Sequence, residues 1–467
     1  MLFLASCLSY RDTVSLMPQD FVQSLAGLRA SLAALHPSRL HGQVSAVNAL
    51  AVELSGLAHH LTVGDRITLH PRAAPPLPAE ITAITGTTLT AAPFGPTSGL
   101  GAGTPATTTL PARPATIAPA QAWLGRVIDP LGHAADGGPP LPPGPRPMTL
   151  RAAPPPATTR ARLGPAIDLG VRALNCFTTC RTGQRLGLFA GSGIGKSTLL
   201  AMLARYTACD VTVLALVGER GREVREFIED DLGPEGLERS VVVVATGDAP
   251  PLLRREAAYT ALTVAEYFRD QGKSVLLLMD SVTRFALALR ELGLANGEPP
   301  ATRGYPPSVF AELPRLLERA GPGPIRADGP AGQITALFTV LVEGSDHEEP
   351  IADAVRGILD GHVILDRRIG EAGRYPAIDV LRSLSRAAAS LHTPAQAALL
   401  RQARAHLALH GDMADMIRLG AYRAGSDPAV DAAIKIVPRL EAMLAQAKDE
   451  PASLQMSFEA LAAALNG

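Results

Sequence analysis

Short apolar runs alternate with amphipathic stretches through the middle of the chain. Between residues 160 and 390 these runs carry no charged side chain and are separated by helical stretches such as residues 251–270. Apolar runs bounded by glycine and polar residues are typical of strands buried on both faces. The pattern predicts a largely parallel sheet with helices on both faces, whose strands cover residues 186–190, 211–217, 241–245, 275–279 and 334–342. Ligands in such sheets bind at the carboxyl ends of the strands.

The pattern changes on both sides of this region. Residues 41–110 show short alternating segments separated by glycine, proline and threonine, as in a small closed β-barrel. Residues 111–156 are rich in proline and glycine around one segment, 123–129, that has the pattern of an ordered element. Beyond Thr393 the spacing is helical, with a break near residues 425–428. We expect an α/β protein with an extension over residues 1–36, a barrel over 37–112, a connector over 113–159, a sheet domain over 160–390 and a helical domain over 391–467.

An amphipathic helix is predicted within the N-terminal extension. Its apolar residues recur at helical spacing and are Phe21, Leu25, Leu28, Leu32 and Leu35. The apolar face of such a helix packs either on its own protein or on a partner helix, and periodicity does not distinguish the two.

Composition and charge exclude several classes of function. The chain has 467 residues and a formal net charge of −1, so we expect two or three domains and no nucleic-acid or anionic-membrane partner. The barrel region carries a single aromatic residue, Phe94, and balanced charges. It therefore lacks the stacking platform and the basic groove of a barrel that binds single strands. No apolar run is long enough to span a membrane.

The first residues and the cysteines give two further expectations. The sequence MLFLASC resembles a lipoprotein cleavage box ending at Cys7, but no Lys or Arg precedes the apolar run. This favours an extended or misassigned start, with Met17 as the candidate initiator. Cys176 and Cys180 lack the second pair that a zinc site requires, so reduced thiols are expected. The acidic cluster of residues 346–349 has only one histidine, which favours a polar loop over a metal site.

A glycine-rich segment joins the strand of residues 186–190 to the next predicted helix. Such a loop turns backbone N–H groups toward phosphate oxygens, and the helix start adds partial positive charge. Lys196 then reaches the β- and γ-phosphates, and the Ser197 hydroxyl ligates Mg²⁺. Ala190 stands where the usual pattern has its first glycine, yet the strand, loop and helix context disfavours a simple turn. The predicted site for ATP and Mg²⁺ comprises Gly191, Ser192, Gly193, Ile194, Gly195, Lys196, Ser197 and Thr198.

Two carboxylates follow strands of the same predicted sheet. Asp280 comes after residues 275–279 and is placed to hold the Mg²⁺ shell, although alone it also suits the N-cap of the next helix. Glu219 follows residues 211–217 and is placed to deprotonate the water that attacks the γ-phosphate, although its charged neighbours also suit a solvated loop. The residues alone favour the metal role for Asp280 and leave the role of Glu219 open.

Five stretches resemble the flagellar protein-export ATPases, a branch of the rotary-type ATPase catalytic subunits. They are LVGERGREVREF (216–227), TVAEYFRD (263–270), LLLMDSVTRFA (276–286), VLVEGSDHEEPIADAVRGILDGHVIL (340–365) and GRYPAIDVLRSLSR (373–386). The likeness extends from about Gly42 to the C-terminus and is most specific over residues 160–386. It implies a RecA-like P-loop domain between the barrel and the helical domain.

The resemblance assigns roles that the residues alone leave open. It implies that Glu219 activates water, that Arg254 lies near the γ-phosphate, and that Arg386 is an arginine finger presented to the nucleotide of the neighbouring subunit. It also implies that Tyr375 and Tyr422 sandwich the adenine; the alternative for Tyr375 is a structural turn residue. A finger supplied in trans requires a ring, which the resemblance makes a homohexamer.

The resemblance also implies a function and a set of partners. The chain would hydrolyse ATP with Mg²⁺ to drive protein export through the flagellar type III secretion apparatus. Its partners would be a regulator contacted by residues 21–35, a stalk-like protein threading the ring, the export gate and chaperone-bound cargo. Its location would be cytoplasmic and peripheral to the inner membrane through those partners. The alternatives are the ATPase of a virulence injection system, an ATP synthase catalytic subunit and an RNA-translocating hexameric helicase.

Overall fold

The computed structural model describes residues 38–110, 115–326, 329, 331–342 and 349–466. The chain forms two compact units, divided around residues 91–97 and at residue 114. The predicted amphipathic helix of residues 21–35, the start candidates Cys7 and Met17, and residues 346–348 of the acidic cluster lie outside the described residues.

The first six strands form a closed barrel. They are β1 (Ser38–Val47), β2 (Val52–Ser55), β3 (Arg66–Leu69), β4 (Leu77–Thr85), β5 (Thr88–Pro93) and β6 (Pro105–Leu110). Their order is β1-β2-β5-β4-β3-β6, and β1 closes the barrel on β6. Alternate side chains of β2 and β3 point inward, so Leu54 and Leu69 are fully buried. The barrel predicted from the alternating pattern is confirmed.

A long sheet organises the larger unit. The remaining strands are β7 (Thr116–Ile117), β8 (Arg126–Ile128), β9 (Met148–Thr149), β10 (Ala166–Ile167), β11 (Cys180–Arg181), β12 (Arg185–Ala190), β13 (Val211–Glu219), β14 (Ser240–Thr246), β15 (Ser274–Asp280), β16 (Gly321–Pro322), β17 (Gln333–Leu341), β18 (Gly361–Ile364) and β19 (Leu384–Ser385). Within the described residues the sheet runs β19-β18-β12-β17-β15-β13-β14-β8, with β16 beside β17. Every neighbouring pair from β18 to β8 is parallel, as predicted.

Helices cover both faces of this sheet. They are α1 (Arg172–Phe177), α2 (Lys196–Tyr206), α3 (Gly221–Glu226), α4 (Gly233–Glu238), α5 (Pro251–Arg269), α6 (Val282–Ala295), α7 (Pro307–Leu317), α8 (Pro350–Ile358), α9 (Arg367–Glu371), α10 (Pro394–Arg418), α11 (Pro428–Leu444) and α12 (Leu454–Asn466). A π-helical segment covers Phe227–Leu232, and short 3-10 turns cover Gln121–Trp123, Thr302–Gly304 and Ala388–Ser390.

Each central strand contributes to two hydrophobic layers. In β13, Val213 and Ala215 pack in the layer that includes α5 to α8, whereas Leu214 and Leu216 pack in the layer that includes α1 and α2. Both sets are buried, which explains why this strand reads as an unbroken apolar run in the sequence.

One strand of the sheet comes from the segment predicted as a connector. β8 pairs in parallel with β14, and Trp123 just before it is 3% exposed. The Trp123 indole N–H donates a hydrogen bond to the Pro142 carbonyl at 2.9 Å. The proline- and glycine-rich segment thus supplies part of the core of the larger unit in addition to linking its neighbours.

Three helices, α10 to α12, lie at the C-terminus of the larger unit, in the region where the sequence predicts a helical domain. A capping box starts α10, in which Thr393 and Gln396 each accept a backbone N–H of the other. The predicted break separates α10 from α11, whose N-cap is Asp427. Helices α11 and α12 join the hydrophobic layer of α2 through buried residues such as Leu440 and Leu461. In the part of the chain that the structure describes, no helix is both long and apolar enough to cross a membrane.

Candidate active site

The predicted phosphate loop connects β12 to α2. Its backbone is left-handed at Gly193 (φ 75°) and Gly195 (φ 82°), a conformation that a Cβ would strain. No described side chain caps the first turn of α2, so its backbone N–H groups remain available to an anion. Ala190, which departs from the usual pattern, is the fully buried last residue of β12. The departure therefore lies in the strand and leaves the loop itself unchanged.

Lys196, the first residue of α2, lies between two carboxylates. Its Nζ is 3.3 Å from Glu219 Oε1 and 2.5 Å from Asp280 Oδ1. Glu219 ends β13 and Asp280 ends β15, and these two strands are parallel neighbours in the sheet. The carboxyl ends of parallel strands share one edge of a sheet, so residues far apart in sequence meet at one lysine.

The structure separates the two interpretations of Asp280. The side chain that caps α6 belongs to Ser281, which accepts the backbone N–H of Arg284 at 3.2 Å. Asp280 instead accepts a hydrogen bond from Thr339 Oγ1 at 2.7 Å, in addition to its ion pair with Lys196. Its carboxylate therefore lies at the lysine and does not cap the helix.

Glu219 combines burial with neighbouring charge. Its side chain is 14% exposed, and this burial raises the pKa of its carboxyl above the ordinary glutamate value. The charge of Asp280 raises the pKa further, while Lys196 and Arg284 oppose the shift. A base is most effective when its pKa lies near the working pH, so this environment suits proton acceptance from water.

A cleft of about 950 Å³ opens above the phosphate loop. Its lining includes the whole predicted loop, Glu219 and several residues that the sequence analysis did not identify: Arg220, Glu223, Arg284, Leu341, Val342, Leu365, Asp366 and Arg367. Arg367 Nη2 donates a hydrogen bond to the Ser192 carbonyl at 2.9 Å. Arg367 comes three residues after the end of β18 and begins α9, so a search of the segments that follow each strand could have identified it too.

A second cavity of about 260 Å³ shares Gly195 and Thr198 with the cleft. Tyr375 lies in its wall and is 47% exposed, and a Cβ added to Gly195 would lie 3.2 Å from Tyr375 Cδ1. The other lining residues are Leu199, Met202, Pro376, Gln446, Ala447 and Lys448. The cavity is therefore placed to receive a group attached to a ligand in the phosphate loop.

Tyr422 does not line this second cavity. Its hydroxyl lies 3.0 Å from the Asp427 carbonyl and 3.0 Å from Asp431 Oδ1, in the turn between α10 and α11. The structure therefore places Tyr375 at the cavity and Tyr422 in a turn. The residues that accompany Tyr375, Gln446 to Lys448, come from a different loop.

The two predicted arginines lie outside the cleft of this chain. Arg254 Nη2 pairs with Glu291 Oε2 at 2.6 Å, and its Nε donates to the Ala249 carbonyl at 3.0 Å. Arg386 follows β19 and is exposed, and its side chain makes no hydrogen bond or ion pair with the described residues. Neither guanidinium joins Lys196 and Glu219.

The donor atoms at the cleft suit one kind of cation. The Ser197 hydroxyl lines the cleft, and the Asp280 carboxylate is buried behind it at Lys196; both are hard oxygen donors, as Mg²⁺ prefers when phosphates and water complete its shell. Cys176 and Cys180 are buried and free, and burial raises the pKa of Cys176 to about 12, so its thiol is not a ready metal ligand. Within the described ranges no cluster of three or more His, Cys, Asp or Glu side chains is arranged to hold a metal.

Comparison with known proteins gives two matches to family descriptions. The nucleotide-binding domain of the ATP synthase alpha/beta family matches residues 170–385, and the T3SS EscN ATPase C-terminal domain matches residues 392–463. Among curated relatives, the flagellum-specific ATP synthase of Caulobacter vibrioides is 53% identical over 93% of this chain and 98% of its own length.

Two solved structures resemble the chain over most of its length. Both are of EscN from the enteropathogenic E. coli type III secretion system, one as the assembled ATPase and one in complex with its central stalk EscO. Their TM-scores are 0.81 and 0.80, at 38% and 39% identity. Each alignment covers 91% of this chain and 100% of the EscN chain. The fold class expected from the sequence is confirmed.

Proposed function

The chain belongs to the ATP synthase alpha/beta family, among its flagellum-specific and type III secretion members, and we propose that it hydrolyses ATP to drive protein export through the flagellar type III secretion apparatus. The flagellar relative is more similar, at 53% identity, than EscN at 38%, which favours the flagellar over the virulence apparatus. The match to a type III secretion C-terminal domain disfavours an ATP synthase subunit. The barrel has neither the aromatics nor the basic groove of an RNA helicase.

One observation carries the proposal: Lys196 bridges Glu219 and Asp280 at the mouth of the phosphate loop. A triphosphate in the loop offers Lys196 a more strongly charged partner. When Lys196 moves to the β- and γ-phosphates, both carboxylates lose their ion pair with it. Glu219 then orients the attacking water and accepts its proton. The bound Mg²⁺, held by Ser197 and Asp280, would supply charge neutralisation at the phosphates.

Lys196→Ala tests this proposal most directly. We expect ATP affinity to fall by about 100-fold, because the variant loses the phosphate contact and leaves two carboxylates close together without a cation. The measurement is calorimetric titration with a non-hydrolysable ATP analogue. Lys273→Ala is the matched control, since Lys273 is an exposed lysine just before β15 and should bind as wild type. Unchanged affinity in Lys196→Ala would contradict the proposed site.

The pH dependence of the reaction tests Glu219 as the base. Its raised pKa keeps the carboxyl protonated at a higher pH than an exposed glutamate, and a protonated carboxyl does not accept a proton from water. We therefore expect kcat/KM for ATP to fall as the pH is lowered through that pKa, with the acid limb above the ordinary glutamate value. The profile of kcat/KM reports the unliganded enzyme. An acid limb at or below the ordinary value would argue against Glu219.

The second cavity is proposed to bind the adenine. Tyr375 offers an aromatic face beside the phosphate loop, and Leu199 and Met202 add apolar surface from α2. The resemblance assigned Tyr422 to the adenine, but residues 446–448 and not Tyr422 line this cavity. Arg254 pairs with Glu291 in this chain, so its proposed role near the γ-phosphate requires this pair to open when the nucleotide binds.

The active form is proposed to be a homohexameric ring. EscN assembles and binds a central stalk, EscO, which supports an oligomer and a stalk-like partner for this chain. Arg386 would then enter the cleft of the neighbouring protomer. The regulator, proposed to bind residues 21–35, the export gate and chaperone-bound cargo complete the proposed partners, through which the ring would sit at the membrane.

A further inference from the structure

A loop between the last two helices forms part of the wall of the second cavity, which is called the base cavity because we propose that it binds the nucleotide base. The loop runs from the end of α11 at Leu444 to the start of α12 at Leu454 and contains no strand or helix. Its residues 446–448 line the cavity. A segment without regular structure keeps its shape only through contacts with the rest of the protein, so its anchors decide whether the cavity exists.

Arg172, the first residue of α1, contacts this loop near both of its ends, while the Lys448 carbonyl within the loop accepts hydrogen bonds from Arg205 and Tyr206. Its Nε donates to the Met443 carbonyl at 2.8 Å and its Nη2 to the Ala445 carbonyl at 2.6 Å. Its Nη1 lies 2.5 Å from Glu450 Oε1. Its backbone N–H donates to Gln446 Oε1 at 2.8 Å. The planar guanidinium thus joins both ends of the loop, which the shorter reach and single charged group of a lysine would not reproduce.

Gln446 extends these contacts to the aromatic side of the cavity. Its backbone N–H donates to the Tyr375 carbonyl at 2.8 Å, and its Nε2 donates to the Gly170 carbonyl at 2.8 Å. Gln446 is 5% exposed, so these bonds are shielded from water. Arg172 and Gln446 therefore hold the loop, the Tyr375 segment and the start of α1 in one network.

We propose that Arg172 is a positioning residue for the nucleotide base: it holds residues 443–450 so that Ala447 and Lys448 face Tyr375, and thereby sets nucleoside affinity without touching the nucleotide. Arg172 does not line either cavity. Within the described residues no hydrogen bond or ion pair joins Arg172 to the phosphate loop, so we expect phosphate binding to depend on Arg172 less than base binding does. The inference rests on the proposed function, because it requires a nucleotide in the cleft.

The test compares a ligand with a base and one without. Wild type, Arg172→Ala and Arg172→Lys are titrated with a non-hydrolysable ATP analogue and with inorganic tripolyphosphate, both with Mg²⁺. We expect Arg172→Ala to lower the affinity for the analogue by about tenfold and to change the affinity for tripolyphosphate by less than about twofold. KM for ATP should rise by a similar factor with kcat nearly unchanged. Arg172→Lys should recover only part of the loss.

Two further variants keep the test decisive. Arg160→Ala is the matched control, since Arg160 also donates to backbone carbonyls, those of Pro322 and Ala320, but away from both cavities. Glu450→Gln removes only the negative charge that pairs with Arg172 and should lower the affinity for the analogue by about threefold. This variant tests the same network if Arg172→Ala does not fold.

Three outcomes would overturn the inference. Equal losses for both ligands would show a general structural role for Arg172, and unchanged binding of the analogue in every variant would show no role. In both cases the proposed function would stand, because the wild type binds both ligands. If wild type bound neither ligand, the proposed function and this inference would fail together.

Discussion

Replacing Glu219 by glutamine is expected to lower ATP turnover by about 10²–10⁴-fold while ATP affinity stays within about twofold of wild type. Glutamine keeps the shape of the side chain, but its amide does not accept the proton of the attacking water. Lys196 retains Asp280 at 2.5 Å, so the phosphate loop keeps its main ion pair. Steady-state hydrolysis and titration with a non-hydrolysable ATP analogue measure the two quantities separately.

Glu226→Gln is the control for charge and shape. Glu226 lies on α3, close in sequence to Glu219, but it is exposed and its Oε1 is 3.5 Å from Arg222 Nε. Exposed pairs of this kind contribute little, so turnover should match wild type. A Glu219→Gln variant that kept half of the wild-type rate would contradict the proposed role of Glu219, because a side chain that cannot accept the proton would then support nearly the same turnover.

The charges in the cleft explain why the lysine and both carboxylates act together. Without nucleotide, one ammonium compensates two carboxylates that are 14% and 5% exposed. An unpaired charge at such a site is costly, so the lysine is held between them. If Lys196 turns to the phosphates as proposed, the Mg²⁺ that would accompany the nucleotide would give Asp280 a cationic partner again. Glu219 would then be the carboxylate left free for the water.

The central sheet and its carboxylates were predictable because their signals are local. The runs that became β12, β13 and β15 are buried on both faces, and the residue that ends each run falls at one edge of a parallel sheet. This rule alone brings Glu219 and Asp280 to the phosphate loop. Residues 123–129 were predicted to be ordered, but the three-residue strand β8 within them was not predicted to join the central sheet, because so short a strand has no periodicity to detect.

The base cavity was only partly predictable because its wall is assembled from distant segments. Tyr375 precedes a proline in a stretch with a family resemblance, whereas residues 446–448 have no motif, and they meet Arg172 only in the folded chain. Nothing local to Arg172 distinguishes it from the other arginines. The assignment of Tyr422 came from resemblance alone, and its hydroxyl instead closes a turn on Asp427 and Asp431.

Arg386→Ala is expected to bind ATP as wild type but to lose turnover by about 10³-fold or more, because an arginine finger stabilises charge that develops in the transition state. Arg386 is exposed, and its side chain makes no bond to the described residues of its own chain. Its backbone N–H is fixed by the Asp360 carbonyl at 3.0 Å, so removing the guanidinium should not disturb the fold. Hydrolysis and analogue binding are measured at concentrations that favour assembly, with the exposed Arg401→Ala as control.

Mixing two inactive variants distinguishes a shared site from a site within one chain. Arg386→Ala keeps the Glu219 carboxylate, and Glu219→Gln keeps the Arg386 guanidinium. In a ring assembled from equal amounts of both, about a quarter of the interfaces would combine an intact carboxylate with an intact guanidinium. Activity should therefore reappear on mixing, and it should not reappear when either is mixed with the double variant. If the mixture stayed inactive although mixed rings formed, Arg386 would not act on the neighbouring nucleotide, since complementation needs only that the two groups come from different chains.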